Sequence, residues 1–179
     1  MTNRKAEILI LCEDLQQEVF ARSCLIAYGF NRRKIRSLKS PKGKGAGSQF
    51  VLESFPNEVR VYRSRSANLA LFLVVLIDAD NYTHRERLSH LENTLINAGL
   101  APRMLEEKIA VFIPKRNIET WIHYSMHEVV NEENIYPKLS NQSDCKPYLE
   151  NLIAQCREDR LIDPPPSLQH GRAELRRIL

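Results

Sequence analysis

The segment Leu71 to Asp80, LFLVVLIDAD, constrains this chain more than any other: seven apolar residues run unbroken into two carboxylates one residue apart. A run that short and apolar, with Val74 and Val75 inside it, reads as a strand buried on both faces, as at the centre of a parallel sheet. Its charges then fall at the strand's carboxyl end, the edge where open α/β sheets bind ligands, so Asp78 and Asp80 belong to a functional rim. Two carboxylates so close repel each other and need a counter-charge, most simply a hard divalent cation with oxygen ligands such as Mg2+. The same pair also suits capping of the next helix.

Strand and helix patterns alternate on either side of this segment. Ala6 to Cys12 reads as a strand, and Asp14 to Tyr28 carries Leu15, Val19, Phe20, Leu25 and Ile26 near helical spacing before Gly29 stops it. Val59 to Arg63 alternates like a short strand. Thr83 to Ala98 is amphipathic, with Leu88, Leu91, Leu95 and Ile96 on one face, and ends at Gly99. Ile109 to Ile113 is a further strand closed by Pro114, and Ile118 to Glu128 reads as a helix. Such alternation predicts an α/β domain over residues 1–128, a Rossmann-like, mainly parallel central sheet flanked by helices. Residues 129–179 shift towards Asn, Glu, Lys and Pro and predict a helical C-terminal extension packed on the same domain. Its helices are expected at Pro147 to Glu158 and, with Ser167 as N-cap, at Ser167 to Ile178.

With 179 residues and a 43% hydrophobic fraction, the chain can bury a core of ordinary size. No stretch has the length to span a bilayer, and the apolar part of MTNRKAEILILCED is too short for a signal peptide, so a cytoplasmic protein with no membrane partner is expected. Cys12, Cys24, Cys145 and Cys156 form no CxxC pair and are expected as reduced, structural thiols. The net charge of +4 is unevenly spread. Arg32, Arg33, Lys34, Arg36, Lys39, Lys42 and Lys44 lie together with no acid among them, a candidate contact for nucleic-acid phosphates or else a solvated loop. Pro41, Gly43, Gly45 and Gly47 predict a loop for much of that segment, and its Gly-Lys-Gly-Ala-Gly-Ser lacks the residue order of a Walker motif.

Three predicted strands deliver acids to their carboxyl ends in a definite order. ILILC delivers Glu13, LFLVVLI delivers Asp78 and Asp80, and AVFIP delivers Lys115, Arg116 and, a helical step on, Glu119. As parallel neighbours these strands would surround one crevice with four carboxylates and two cations, the inventory of metal-assisted phosphoryl chemistry.

In this the chain resembles the TOPRIM domain of topoisomerases, bacterial primases and overcoming-lysogenization-defect nucleases, in which a glutamate ends the first strand and a DxD pair ends a later hydrophobic one. Glu13 and Asp78-Ala79-Asp80 match those positions, and Pro114-Lys115-Arg116-Asn117-Ile118-Glu119-Thr120-Trp121 looks like the signature of small stand-alone bacterial TOPRIM-like proteins. The resemblance covers roughly residues 6–126. Many TOPRIM proteins have glycine after the first glutamate; here Asp14 stands there, as a metal ligand or as the cap of the next helix.

The resemblance implies a TOPRIM-like fold and a Mg2+- or Mn2+-dependent endonuclease on nucleic acid, with DNA ranked ahead of RNA as substrate, and an association with phage defence and a partner ATPase. It implies that Glu13, Asp78, Asp80 and Glu119 hold the metal. Glu13 would also serve as general acid or base, and Lys115 and Arg116 would neutralise charge developing on the phosphate. Two other classes stay open. A haloacid-dehalogenase-like phosphatase also opens on DxD after a hydrophobic strand, and a non-catalytic adaptor would use the basic segment to bind nucleic acid or an ATPase. Glu119, His123 and His127, spaced by four, also share a helical face on which a transition metal could bind.

Overall fold

The computed structural model describes residues 6–43 and 45–179. The chain folds as β1 (Glu7–Cys12), α1 (Leu15–Ala27), β2 (Ile35–Lys39), α2 (Gly47–Arg65), β3 (Leu71–Leu76), α3 (His84–Asn97), β4 (Ile109–Phe112), α4 (Glu119–Ser125), α5 (Lys146–Glu158) and α6 (Pro166–Leu175). The four strands form one sheet in the order β2-β1-β3-β4, all parallel. This is the expected α/β class, compatible with a Rossmann-like fold.

The apolar runs of β1, β3 and β4 have no polar alternation because both faces of the sheet are covered. Ile8, Ile10, Cys12, Phe72, Val74, Leu76 and Ala110 face a layer made by α1, α4, α5 and α6. Leu11, Leu73, Val75, Ile77, Ile109, Val111 and Ile113 face α2 and α3. The split follows from crossover handedness. The chain steps one way from β1 to β2 and the other way from β2 past β1 to β3 and on to β4, so right-handed connections put α1 on one face and α2 and α3 on the other.

Two elements differ from the sequence expectation. Val59 to Arg63 is the last part of the helix α2, whose buried stripe is Val51, Phe55, Val59 and Tyr62; the apparent alternation arose because Val61 faces outward. Within the basic segment, Ile35–Lys39 is an edge strand after a 3-10 turn at Arg32–Lys34, and pairing with β1 rather than its own pattern makes it a strand. Ser167 is also not a cap. α6 starts one residue earlier, and the Ser167 hydroxyl accepts a hydrogen bond from Trp121 Nε1 at 2.8 Å. Leu149, Leu152 and Ile153 of α5 share a core with Phe20 and Leu25 of α1, while α6 lies against β4. No helix among the described residues is long and apolar enough to cross a membrane. Cys12, Cys24, Cys145 and Cys156 are free, with burial pushing all four thiols up.

Candidate active site at the β1–β3 rim

The strand order reverses between β1 and β3, which is where open α/β sheets place their ligand crevice. Glu13 follows β1 directly and Asp78 follows β3 by one residue, so both acids stand at that switch point. They touch through the backbone: the Asp78 N–H donates to Glu13 Oε1 at 2.6 Å. Gln17, on the first turn of α1, ties the two together. Its Nε2 donates to Asp78 Oδ1 at 2.9 Å, and its Oε1 accepts the Glu13 N–H at 2.9 Å. Asp14 caps α1 by accepting the Gln17 N–H at 3.0 Å, which holds this glutamine in place. Asp14 therefore does cap the following helix, while its second oxygen accepts from Lys138 Nζ at 2.8 Å.

Glycine at the start of α2 is required by this geometry. A Cβ on Gly47 would stand 2.7 Å from Glu13 Cβ and 3.0 Å from Glu13 Oε2, so the α2 terminus rests directly on the glutamate.

Glu119 opens α4 and is 1% exposed, and its Oε1 has no hydrogen-bond partner. Burial raises the pKa of Glu119, with the Asp14 charge adding to the effect and Lys138 and His123 opposing it. Burial likewise pushes Glu13 up to about 7, against the stabilising Asp78 N–H bond, and the charges of Asp80 and Asp14 push the same way. Asp78 is raised well above its ordinary value by burial and then by the charges of Glu13, Glu119, Asp14 and Asp80. The rim therefore gathers more negative charge than its cations balance.

The remaining predicted residues lie at the edges of this cluster. Asp80 is about half exposed, has φ of 53°, and pairs at 2.8 Å with Arg87, a buried arginine of α3 that stacks on Tyr82. Lys115 donates to the Tyr82 carbonyl at 2.8 Å, and Arg116 bonds Asn81 and approaches Glu133 at 3.7 Å. Both cations thus fasten the turn after β3, which an Asp80–Arg116 backbone bridge also ties to the β4 loop. The cation that does reach the cluster is Lys138, from the segment between α4 and α5; its pKa is raised by the bond to Asp14 and by the charges of Asp14, Glu119 and Asp78. A residue so distant in sequence, in a polar segment, gave no local signal. Gln17 was equally silent, as a polar residue on a helix.

Arg32, Arg33, Lys34, Arg36, Lys39 and Lys42 are exposed along the 3-10 turn, β2 and the loop beyond it; Lys44 lies outside the described residues. Lys39 pairs with Glu18 at 2.6 Å and Lys34 with Glu7 at 3.4 Å. His127 falls beyond α4 at φ of 65°, and His123 bonds Glu128, so the Glu119, His123, His127 face does not form.

Among the described residues, no three His, Cys, Asp or Glu side chains stand as a ready-made ligand set. The donor chemistry nevertheless fits a hard cation: the donors are carboxylate oxygens, Glu119 Oε1 is unpartnered, and burial, with repulsion from neighbouring acids added, raises Glu13, Asp78 and Glu119. No family model, curated protein or solved structure matches the chain.

Proposed function

We propose that this protein is a divalent-metal-dependent nuclease that hydrolyses phosphodiester bonds in DNA at the β1–β3 rim. The observation that carries this reading is the convergence of Glu13 and Asp78 at the switch point, with Glu119 and Asp14 close enough to raise their protonation. Four half-buried or buried carboxylates with one lysine between them favour either an added proton or an added cation. The order Glu13, Asp78-Ala79-Asp80, Glu119 agrees with the TOPRIM resemblance, which adds the expectation of Mg2+ or Mn2+ and of an ATPase partner in phage defence.

Asp78, Glu119 and Glu13 would hold the ion, with Asp80 joining them if it leaves Arg87. A bound Mg2+ or Mn2+ would polarise the scissile phosphate and lower the pKa of an attacking water. Glu13, raised to about 7, suits a residue that accepts a proton from water and returns it near neutral pH. Gln17 keeps Asp78 oriented, and Arg87 sets the position of Asp80.

The test is cleavage of supercoiled and linear DNA in Mg2+ or Mn2+ by wild type, Asp78→Ala and Glu13→Ala, each checked for folding by circular dichroism. Loss of cleavage in both folded variants is the expected result; equal cleavage by all three proteins rejects the site. A second reading has one observation in its favour. Arg87 on Asp80 and Lys138 on Asp14 already neutralise two acids from within the chain, as a non-catalytic adaptor would need. DNA binding without cleavage under any divalent ion would select that reading.

A further inference from the structure

α1 and α5 enclose a groove of about 590 Å3 that none of the rim residues lines. Arg22, Arg32, Lys146 and Arg157 contribute to its walls, against a single acid, Glu150. Arg157 is fixed there: its guanidinium lies 4.7 Å from the Tyr28 ring centroid and donates to the Ala27 carbonyl at the end of α1. Arg32 and Lys146 are exposed and make no ion pair among the described residues. Lys146 is also the first residue of α5, whose opening turn carries no acid. A cation at the positive end of a helix dipole is unfavourable until an anion arrives.

Basic residues continue beyond Arg32, two of them already met by acids, Lys34 by Glu7 and Lys39 by Glu18. Arg33 and Lys34 complete the 3-10 turn, and Arg36 and Lys39 follow on opposite faces of the exposed edge strand β2, itself about 13 Å of extended chain, or about four base-pair rises of duplex. Lys39 is in register with Cys12, the residue before Glu13. The basic stripe therefore leads from the α1–α5 groove up the sheet edge to the acid rim.

We propose that this groove and the β2 edge together form the track for the phosphate backbone of duplex DNA, feeding it to the Glu13–Asp78 rim. The proposal rests on the nuclease reading for its direction, but the track is a binding surface in its own right. Duplex is favoured over single strand because single-strand sites stack bases on exposed aromatic rings. The aromatic ring beside this groove, Tyr28, is buried beneath Arg157.

The test is fluorescence anisotropy of a labelled duplex in EDTA, where cleavage is absent, over a series of salt concentrations. Each phosphate contact adds close to one unit to the slope of log K against log salt, so Arg32→Ala with Lys146→Ala should lower the wild-type slope by about 2. The affinity lost between about 50 and about 200 mM salt should then be about tenfold smaller than in wild type. The charge-retaining pair Arg32→Lys with Lys146→Arg should keep the wild-type slope, as should Arg60→Ala on α2, which packs on the other face. An unchanged slope in the double alanine variant overturns the track, as does wild-type protein that ignores the duplex and binds an oligoglutamate peptide instead. DNA binding through these residues without cleavage in Mg2+ or Mn2+ keeps the track and rejects the nuclease; cleavage with an unchanged slope does the reverse.

Discussion

Two groups of buried charge in this molecule, one along the outer edge of β4 and one at the β1–β3 rim, differ in how completely they are balanced. At β4, Arg103 donates to Glu92 at 2.9 Å, to Glu174 at 2.7 Å and to the Ile109 carbonyl at 3.0 Å, while Glu174 accepts the Val111 N–H at 2.7 Å. The Arg103–Glu174 pair thereby supplies the donor and acceptor that a further strand would have offered, and closes the sheet edge. At the rim, Glu13, Asp14, Asp78 and Glu119 are faced by Lys138 and by the charge of Arg87, which is itself bound to Asp80, and Glu119 Oε1 has no hydrogen-bond partner. Satisfied charge builds the fold; unsatisfied charge is what a ligand can complete.

The comparison breaks first at Arg103. Arg103→Met should leave Glu92 without its cation and Glu174 with only Arg177 at 3.7 Å, and cost about 3–5 kcal/mol in denaturant unfolding, with cleavage per folded molecule unchanged. A loss below about 1 kcal/mol would mean that the β4 network is as loosely balanced as the rim. Gly47→Ala probes the other side. Its Cβ would overlap Glu13, so overpacking should cost about 1–3 kcal/mol and displace the glutamate, removing cleavage while Asp78 and Glu119 remain. Full activity in Gly47→Ala would show that the placement of Glu13 is not critical.

A smaller effect, of opposite sign, is expected from Asp78→Asn. Glu13 rises from 4.5 to about 7 on folding, so the folded state binds more protons than the unfolded chain between those values. Its contribution is present in full below pH 4.5 and is lost as the pH rises through about 7. Metal-free wild type should therefore lose stability across that window. Asp78→Asn removes one of the repelling charges while Asn can still accept from Gln17, and should gain about 1–2 kcal/mol above neutrality, or about 2–8 °C in Tm. Mg2+ should flatten the wild-type profile but leave that of the variant almost unchanged. A variant less stable than wild type at high pH would put the rim in the same class as the Arg103 network.

How far the sequence disclosed these two regions follows from where each signal is stored. The rim acids were legible because β3, and β1 after Glu7, are uniformly apolar and run parallel, so whatever follows them must stand at the carboxyl edge. α2 was not, because Pro56 interrupts its stripe and the exposed Val61 imitates strand alternation. β2 was not, because an edge strand of mostly basic residues owes its form to β1 rather than to its own pattern. In the site, adjacency in sequence misled: Lys115 and Arg116 follow β4 but fasten the Asn81–Tyr82 turn. Gln17, Arg87 and Lys138 act through tertiary contacts that no local spacing encodes.

Lys138 gives the smallest and most discriminating effect. Its bond to Asp14 is largely exposed, and such pairs contribute about 0–1 kcal/mol, so Lys138→Met should scarcely change unfolding. Its charge, however, helps hold the buried Glu119 ionised, so its removal takes a positive charge from the rim and lets the Glu119 pKa rise further, leaving the carboxylates less compensated. If the rim binds a divalent cation, Lys138→Met should tighten Mn2+ binding, measured by calorimetry, by about 5-fold, which corresponds to about 1 kcal/mol. If instead the acids are a closed structural network like that of Arg103, the same change should yield no Mn2+ binding and a measurable loss of stability. The two outcomes are opposite in both readouts, so one substitution decides whether the unbalanced charge at the rim awaits a cation.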